Sequence, residues 1–216
     1  MLKRILSVSI IVSFLFISAL PARADMYTYN FNNITNNSYL DLGDQLKVVL
    51  TNPGSNQILF TFYNDIGIKS SVCDIYFDDN SGSLNSLANI INGTGVLFET
   101  PADPGNLPGG APFDFNADFS TDSDSPVEHN GIDSSTESLG ILFTLNSGND
   151  FSDVVNALAN KYLRIGLHVQ AIGFCDNSDS YINDPGNPSV VPVPGALLLG
   201  AIGLAVSGLR LRRKQQ

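Results

Sequence analysis

An all-β fold is what this sequence predicts: one antiparallel β-sandwich or jelly-roll-like domain with a single short helix, set between two apolar ends. Three observations predict it. Apolar and polar residues alternate with a period of two in one run after another, as half-buried strands require. Clusters of Pro, Gly, Asn and Asp punctuate these runs at short intervals. One stretch alone, around residue 155, repeats its apolar side chains at a clear helical spacing. Many short strands, many turns and one short helix argue for a sandwich or jelly roll.

In chain order, Lys3 and Arg4 precede an apolar run over residues 5–20, and Pro21-Ala22-Arg23-Ala24 follows. A basic start, an apolar centre and an A-x-A end form a secretory signal peptide, read as residues 1–24 and cut between Ala24 and Asp25, with Ala22 and Ala24 as the small residues of the site. Such a leader implies the Sec export machinery and a signal peptidase as partners; an uncleaved N-terminal anchor is the alternative. The exported domain spans 25–183. Tyr27, Tyr29 and Phe31 alternate with Thr28 and Asn30, then Leu46, Val48 and Leu50 with Lys47 and Thr51. Pro53-Gly54-Ser55-Asn56 is turn chemistry, and Ile58, Phe60 and Phe62 alternate after it, so these two runs predict an antiparallel hairpin. A third strand is predicted over 72–77. Leu84, Leu87, Ile90 and Ile91 suit a short helix by spacing, with a strand as the alternative.

A brief strand is expected at 95–99, then a long ordered loop or flap over 101–112, rich in Pro and Gly. Phe113, Phe115, Ala117 and Phe119 alternate with polar residues. Residues 121–138 read as a polar, acidic loop, and 139–145 as a buried strand. Residues 150–160 form the helix, with Phe151, Val154, Val155 and Leu158 on one face and Asp150 placed to cap it. Residues 162–172 are the strongest late strand, with Leu163, Ile165, Leu167, Val169 and Ala171 on one face and His168 on the other. Residues 180–183 are expected as a last edge strand, and 184–190 as a linker.

The tail, 191–216, is proline-broken, then apolar, then basic. No charged side chain occurs over 195–209. A helix crosses the hydrocarbon core with about 20 apolar residues, about 17 at the least, and the span is read at about 195–211. Arg210, Arg212, Arg213 and Lys214 follow, and basic clusters stay on the cytoplasmic side, so everything before the span is placed outside.

Charge follows the same partition. All 21 acidic residues lie between Asp25 and Asp184, and seven of the 11 basic residues lie in the two ends. Residues 25–184 keep Lys47, Lys69, Lys161 and Arg164, four cations against 21 acids, a net charge of −17. A domain this acidic repels nucleic acid and anionic membrane surfaces. Two cysteines, Cys73 and Cys175, both fall in the exported part. In an oxidising compartment they suit a disulfide, with two buried free thiols as the alternative. Their spacing is not C-x-x-C, which excludes a thiol-redox site of that kind.

No reaction signature emerges. G-x-S-x-G is absent, and His129 and His168 have no H-E-x-x-H context. With 21 acids, pairs suited to glycoside hydrolysis are expected by chance, and the chain has no Trp to stack on a sugar. The domain is therefore read as non-enzymatic, with no catalytic residue, no cofactor and no assigned metal ligand. Calcium is the one candidate ion: Asp78-Asp79-Asn80 and Asp122-Ser123-Asp124 gather oxygens in loops, off the EF-hand spacing. Asn33-Ile34-Thr35, Asn36-Asn37-Ser38 and Asn92-Gly93-Thr94 match the N-glycosylation sequon, which an Asn-rich composition also produces.

Val191-Pro192-Val193-Pro194-Gly195-Ala196, followed by a short apolar stretch and Arg212-Arg213-Lys214, resembles the PEP-CTERM sorting signal of bacterial exported proteins. Val193 stands where that family most often has Glu. The resemblance implies recognition by an exosortase, a membrane cysteine protease-transpeptidase that cuts near the Pro motif; a plain, unprocessed anchor is the alternative. The runs Phe62-Tyr63-Asn64-Asp65, 70–79, Asn106-Leu107-Pro108-Gly109-Gly110, 119–124 and 163–170 resemble a domain recurring among PEP-CTERM proteins. That likeness implies a cell-surface or extracellular-matrix protein, with exopolysaccharide as a candidate partner, and carries no assigned activity. A carbohydrate-binding or carbohydrate-cleaving module of the matrix is the second reading.

Overall fold

A computed structural model describes residues 26–65, 67–174, 177–186 and 189–191 of the 216. The signal-peptide residues Ala22, Ala24 and Asp25, the motif residues from Pro192 to Ala196, the basic residues Arg210, Arg212, Arg213 and Lys214, and Cys175 lie outside the described residues. Among the described residues no helix is long and apolar enough to cross a membrane.

The chain is mostly β, and all its strand pairs are antiparallel. The strands are β1 (Met26–Asn33), β2 (Leu46–Gly54), β3 (Gln57–Asn64), β4 (Ser71–Asp79), β5 (Leu84–Asn92), β6 (Phe98–Glu99), β7 (Phe119–Ser123), β8 (Leu139–Leu145), β9 (Leu163–Ile172), β10 (Asn177–Asn183) and β11 (Ser189–Val191). Two helices interrupt them, α1 (Val127–Asn130) and α2 (Phe151–Ala159). The strand order is β5-β8-β3-β2-β1-β10-β9-β4-β7-β6, with β11 on β1. β1 changes partner midway: Tyr27 to Asn30 pair with β2, and Phe31 to Asn33 pair with β10. The sheet thereby curls into a near-barrel. Its two ends meet through one side chain, Asn92, whose Oδ1 accepts the Phe98 N–H at 2.9 Å and whose Nδ2 donates to the Phe98 carbonyl at 3.2 Å. A carboxamide thus stands in for one step of a backbone ladder.

The inward residues of every long strand form one core, centred on edge-to-face rings of Phe60, Phe62, Phe77, Phe119 and Phe143. The β2–β3 hairpin turns at Ser55 and Asn56, both with positive φ, as the tight hairpin turn requires. α2 begins at a capping box: Asp150 accepts from the Ser152 and Asp153 amides, and Asp153 accepts the Asp150 N–H. Its buried face, Val154, Val155, Ala157 and Leu158, packs on the core, and the Tyr29 hydroxyl donates to the Val155 carbonyl at 3.4 Å. A buried polar knot lies elsewhere in the wall. Gln45 Nε2 donates to Asn64 Oδ1, its Oε1 accepts the Ile68 N–H, and Asn64 Nδ2 donates to the carbonyls of Ser70 and Ile132.

Three expectations are corrected and one open reading is settled. Residues 121–138 are not loop throughout: β7 runs to Ser123 and α1 spans Val127–Asn130. Residues 84–92, open between helix and strand in the sequence, form a strand. Two register shifts, between Leu84 and Ser86 and between Leu87 and Asn89, place Leu84, Leu87 and Ile90 on the core side three residues apart. The alternating run from Phe113 is not a strand until Phe119. Ala111–Phe113 is a 3-10 turn, Asp114 is left-handed at φ 51°, and Phe115 is buried outside the main core. The strand expected at 180–183 begins at Asn177 and is central, between β1 and β9, instead of an edge.

Candidate functional site

β4 is buried on both faces because two different things cover it. Ile75 and Phe77 face the core. Asp74, Tyr76 and Asp78 face outward, and the antiparallel register sets His168, Gly166 and Arg164 of β9 opposite them in that order. Cross-strand partners share a face. The outer face of this part of the sheet is therefore three successive rows: Asp74 with His168, Tyr76 with Gly166, Asp78 with Arg164.

The 101–117 segment, predicted from its Pro and Gly content as a loop or flap, lies over the middle row. Ala102, Leu107 and Phe115 pack on Tyr76 in a small second core. The Tyr76 hydroxyl donates to the Pro104 carbonyl at 2.9 Å, and the Ala102 amide donates to Ser120 Oγ at 3.0 Å. Gly166 makes room for this: a Cβ there would stand 2.8 Å from Leu107 Cδ2 and 3.0 Å from Phe115 Cζ. Asn106 braces the flap internally, donating to the Phe115 carbonyl and accepting from the Leu107 and Ala117 amides.

At one end of the flap, the Arg164 guanidinium binds Asp78, the Phe113 carbonyl and the Asp114 carbonyl, and lies 5.3 Å over the Phe115 ring. Asp78 also accepts from Asn80 Nδ2 and the Asn116 amide. Beside this clamp is a cavity of about 240 Å³, lined by residues that include Asn32, Phe113, Lys161, Arg164 and Asn183.

At the other end, His168 Nδ1 is 2.7 Å from Asp74 Oδ2. Asp122 of β7 is the next residue in that row, opposite Asp74, and Ser180 of β10 lies opposite His168. Burial pushes the Asp122 carboxyl up to about 6, and Asp74, as hydrogen-bond partner and as like charge, pushes the same way. A polar groove of about 280 Å³ opens here, lined by residues that include Thr35, Asn37, Gly109, His168, Ser178 and Ser180. Gly109 has φ +70°, and a Cβ on it would come within 2.4 Å of Thr35 Cγ2, so the flap approaches Thr35 as closely as a backbone can. Asp179, also in the groove wall, is spent as an anchor: it accepts from Thr35 Oγ1 at 2.7 Å and from the Asn37 and Ser38 amides.

Chemically, the Asp74–His168 pair holds an imidazole in a fixed orientation with a second carboxyl behind it. Among the described residues His168 makes no hydrogen bond to a hydroxyl or thiol. Cys73 is buried in β4, its thiol near the carbonyls of Ser71 and Val127 at 3.5 Å, and burial pushes it up to about 12. The acidic stretch from Asp78 to Asn80 is internally bonded: Arg164 holds Asp78, and Asp79 accepts the Leu84 amide and the Ser81 hydroxyl. Among the described residues no three His, Cys, Asp or Glu side chains gather as a metal-holding group.

The Asp74–His168 and Asp78–Arg164 pairs were not read from the sequence, though a signal exists. Asp74 and Asp78 are four apart, His168 and Arg164 are four apart, and antiparallel pairing of those two strands matches them. Comparison with known proteins adds nothing to this geometry: no family model, no curated protein and no solved structure matches the chain.

Proposed function

We propose that this chain is an exported, non-enzymatic cell-surface or extracellular-matrix protein, with a signal peptide over 1–24 and a PEP-CTERM-like sorting tail over 191–216 that an exosortase recognises and processes. One observation carries the reading. Among the described residues the first strand starts at Met26, two residues after Ala24, the last ends at Val191, where the VPVPGA motif starts, and these two residues are antiparallel partners. Cuts after Ala24 and beyond Val191 both fall outside the paired strands, so two processing events leave the sheet whole. The acidic composition fits the same role, since a net charge of −17 favours solubility outside the cell. Within this reading the near-barrel is a flattened sandwich of the jelly-roll kind, supported by the mid-strand change of partner in β1.

The test is terminal mapping of the mature protein from an exosortase-bearing bacterium. The expected chain starts at Asp25 and lacks Arg210 to Gln216. A cytoplasmic chain that keeps both Met1 and Gln216 overturns the proposal. A second reading, a carbohydrate-binding or carbohydrate-cleaving module, is favoured by the hydroxyl-lined groove beside His168. A glycan array and a reducing-sugar assay separate the two.

A further inference from the structure

We infer that the cavity beside the Arg164 clamp binds a small organic carboxylate, with Lys161 as its charge partner. This inference is independent of the export reading and concerns a different place from the groove at His168. It begins from composition. Residues 25–184 hold four basic residues against 21 acidic ones, yet two of the four, Lys161 and Arg164, line this one cavity, and among the described residues no acidic one lines it. Asp114 and Asp184, the acids nearest to lining residues in sequence, are exposed and outside the lining.

The polar side chains of the lining are Lys161, Arg164, Asn183 and Asn32, the first two cationic donors and Asn32 both donor and acceptor. The Arg164 fork is spent on Asp78 and two carbonyls, so it supplies field more than hydrogen bonds. Lys161 makes no ion pair among the described residues and is exposed. Asn183 Oδ1 accepts the Ile165 amide at 2.7 Å, which leaves its NH2 as the group it can offer a ligand. Two cations and the Asn183 NH2, with no carboxylate among the described lining residues, favour an anion.

The rest of the wall narrows the class. Phe113, 45 % exposed, and Ile182 add apolar surface beside the donors. A bare inorganic anion would leave that surface wet, whereas a carboxylate on a ring or short chain covers it. At about 240 Å³ the cavity is smaller than a drug-sized site, which starts at about 300 Å³, and so takes one ring or a short acid. The shared chemistry is the carboxylate; whether it comes from a sugar acid or a hydrophobic acid is for the probes to separate.

The experiment is calorimetric and NMR titration of the full chain, kept in a neutral detergent, with D-glucuronate, benzoate, glucose and inorganic phosphate. Saturable binding of at least one of the two carboxylates, silent for glucose and weakening with added salt, is expected. Glucuronate alone identifies a sugar acid, and benzoate alone a hydrophobic acid. Lys161→Glu lowers that affinity about tenfold or more, as loss of a charged hydrogen bond implies, while Lys47→Glu, with the same change of net charge, leaves it within about twofold. Near-ultraviolet circular dichroism checks that both variants are folded. Binding of neither carboxylate, phosphate binding in their place, or equal weakening by both substitutions overturns the inference.

Discussion

The two ends of the flap-covered face invite comparison. At each, an outward aspartate of β4 meets a basic residue of β9, yet one pair also fastens the flap and the other faces an open groove. Asp78 faces a guanidinium that is always charged and whose fork also holds two flap carbonyls. Asp74 faces an imidazole, with a second carboxyl, Asp122, behind it. The difference teaches how one strand pair can both fasten a loop and leave a groove open. The guanidinium end holds the flap through its fork, and the imidazole end lies next to an open groove with Asp122, raised to about 6 by burial, behind it.

The largest expected effect comes from breaking the guanidinium end. Arg164→Ala leaves Asp78, whose side chain is 2 % exposed, as an uncompensated buried charge. Breaking a buried pair from one side costs about 3–5 kcal/mol. A guanidinium melt should show a lower midpoint at unchanged slope, and limited proteolysis should find new cuts between residues 101 and 117. An unchanged midpoint would mean the clamp is ornamental.

Removing the separator between the ends comes next. Gly166→Val drives a side chain into Leu107 and Phe115, an overpacking that costs about 1–3 kcal/mol. Here the flap lifts and both ends open together, so fluorescence of Tyr76, beneath the flap, should become accessible to a quencher. Burial of Tyr76 retained in that variant would contradict the packing described.

The smallest effect sharpens the imidazole end. Asp122 is raised from 3.8 to about 6 in the fold, so between about pH 4 and pH 6 the folded chain keeps a proton the unfolded chain has released. Stability from this group is full below about pH 4 and is lost as the pH rises through about 6. Asp122→Asn carries no proton to lose. Its stability relative to the parent should therefore rise from pH 4 to pH 6 and level off above. Asp74, Asp103 and His168 are present in both chains, so their direct contributions largely cancel in the difference. Parallel pH profiles for the two proteins would remove Asp122 from the account.

Much of the fold was legible in the sequence, and each failure has a physical cause. Alternation reported β1, β2, β3 and β9, because their two faces differ in burial, and the apolar run of β8 reported a buried strand. Alternation failed for β5, where the bulges convert a period of two into an apparent period of three. It overreached at Phe113 and Phe115: they alternate, but Phe115 belongs to the flap and packs on Tyr76 from outside. β10 was misplaced. It was expected as an edge strand over 180–183, yet Asp179 and Ser180 are buried, and Asp179 anchors the 35–38 loop from a central strand. Of the candidate site, His168 was placed on the right face and the flap was anticipated. The charged rows were not, because they depend on which strands are neighbours, and a single sequence carries the spacing without the pairing.

The bulges in β5 have a consequence for crowding. β5 is the first strand in the sheet order, and its outer side offers a row of amides and carbonyls to whatever passes. A regular ladder there would template a second molecule, strand on strand. Two interruptions within nine residues break the repeat of donors and acceptors, so an incoming strand falls out of step after two or three bonds. The irregular edge is thus a poor template for strand-on-strand association between copies of this chain.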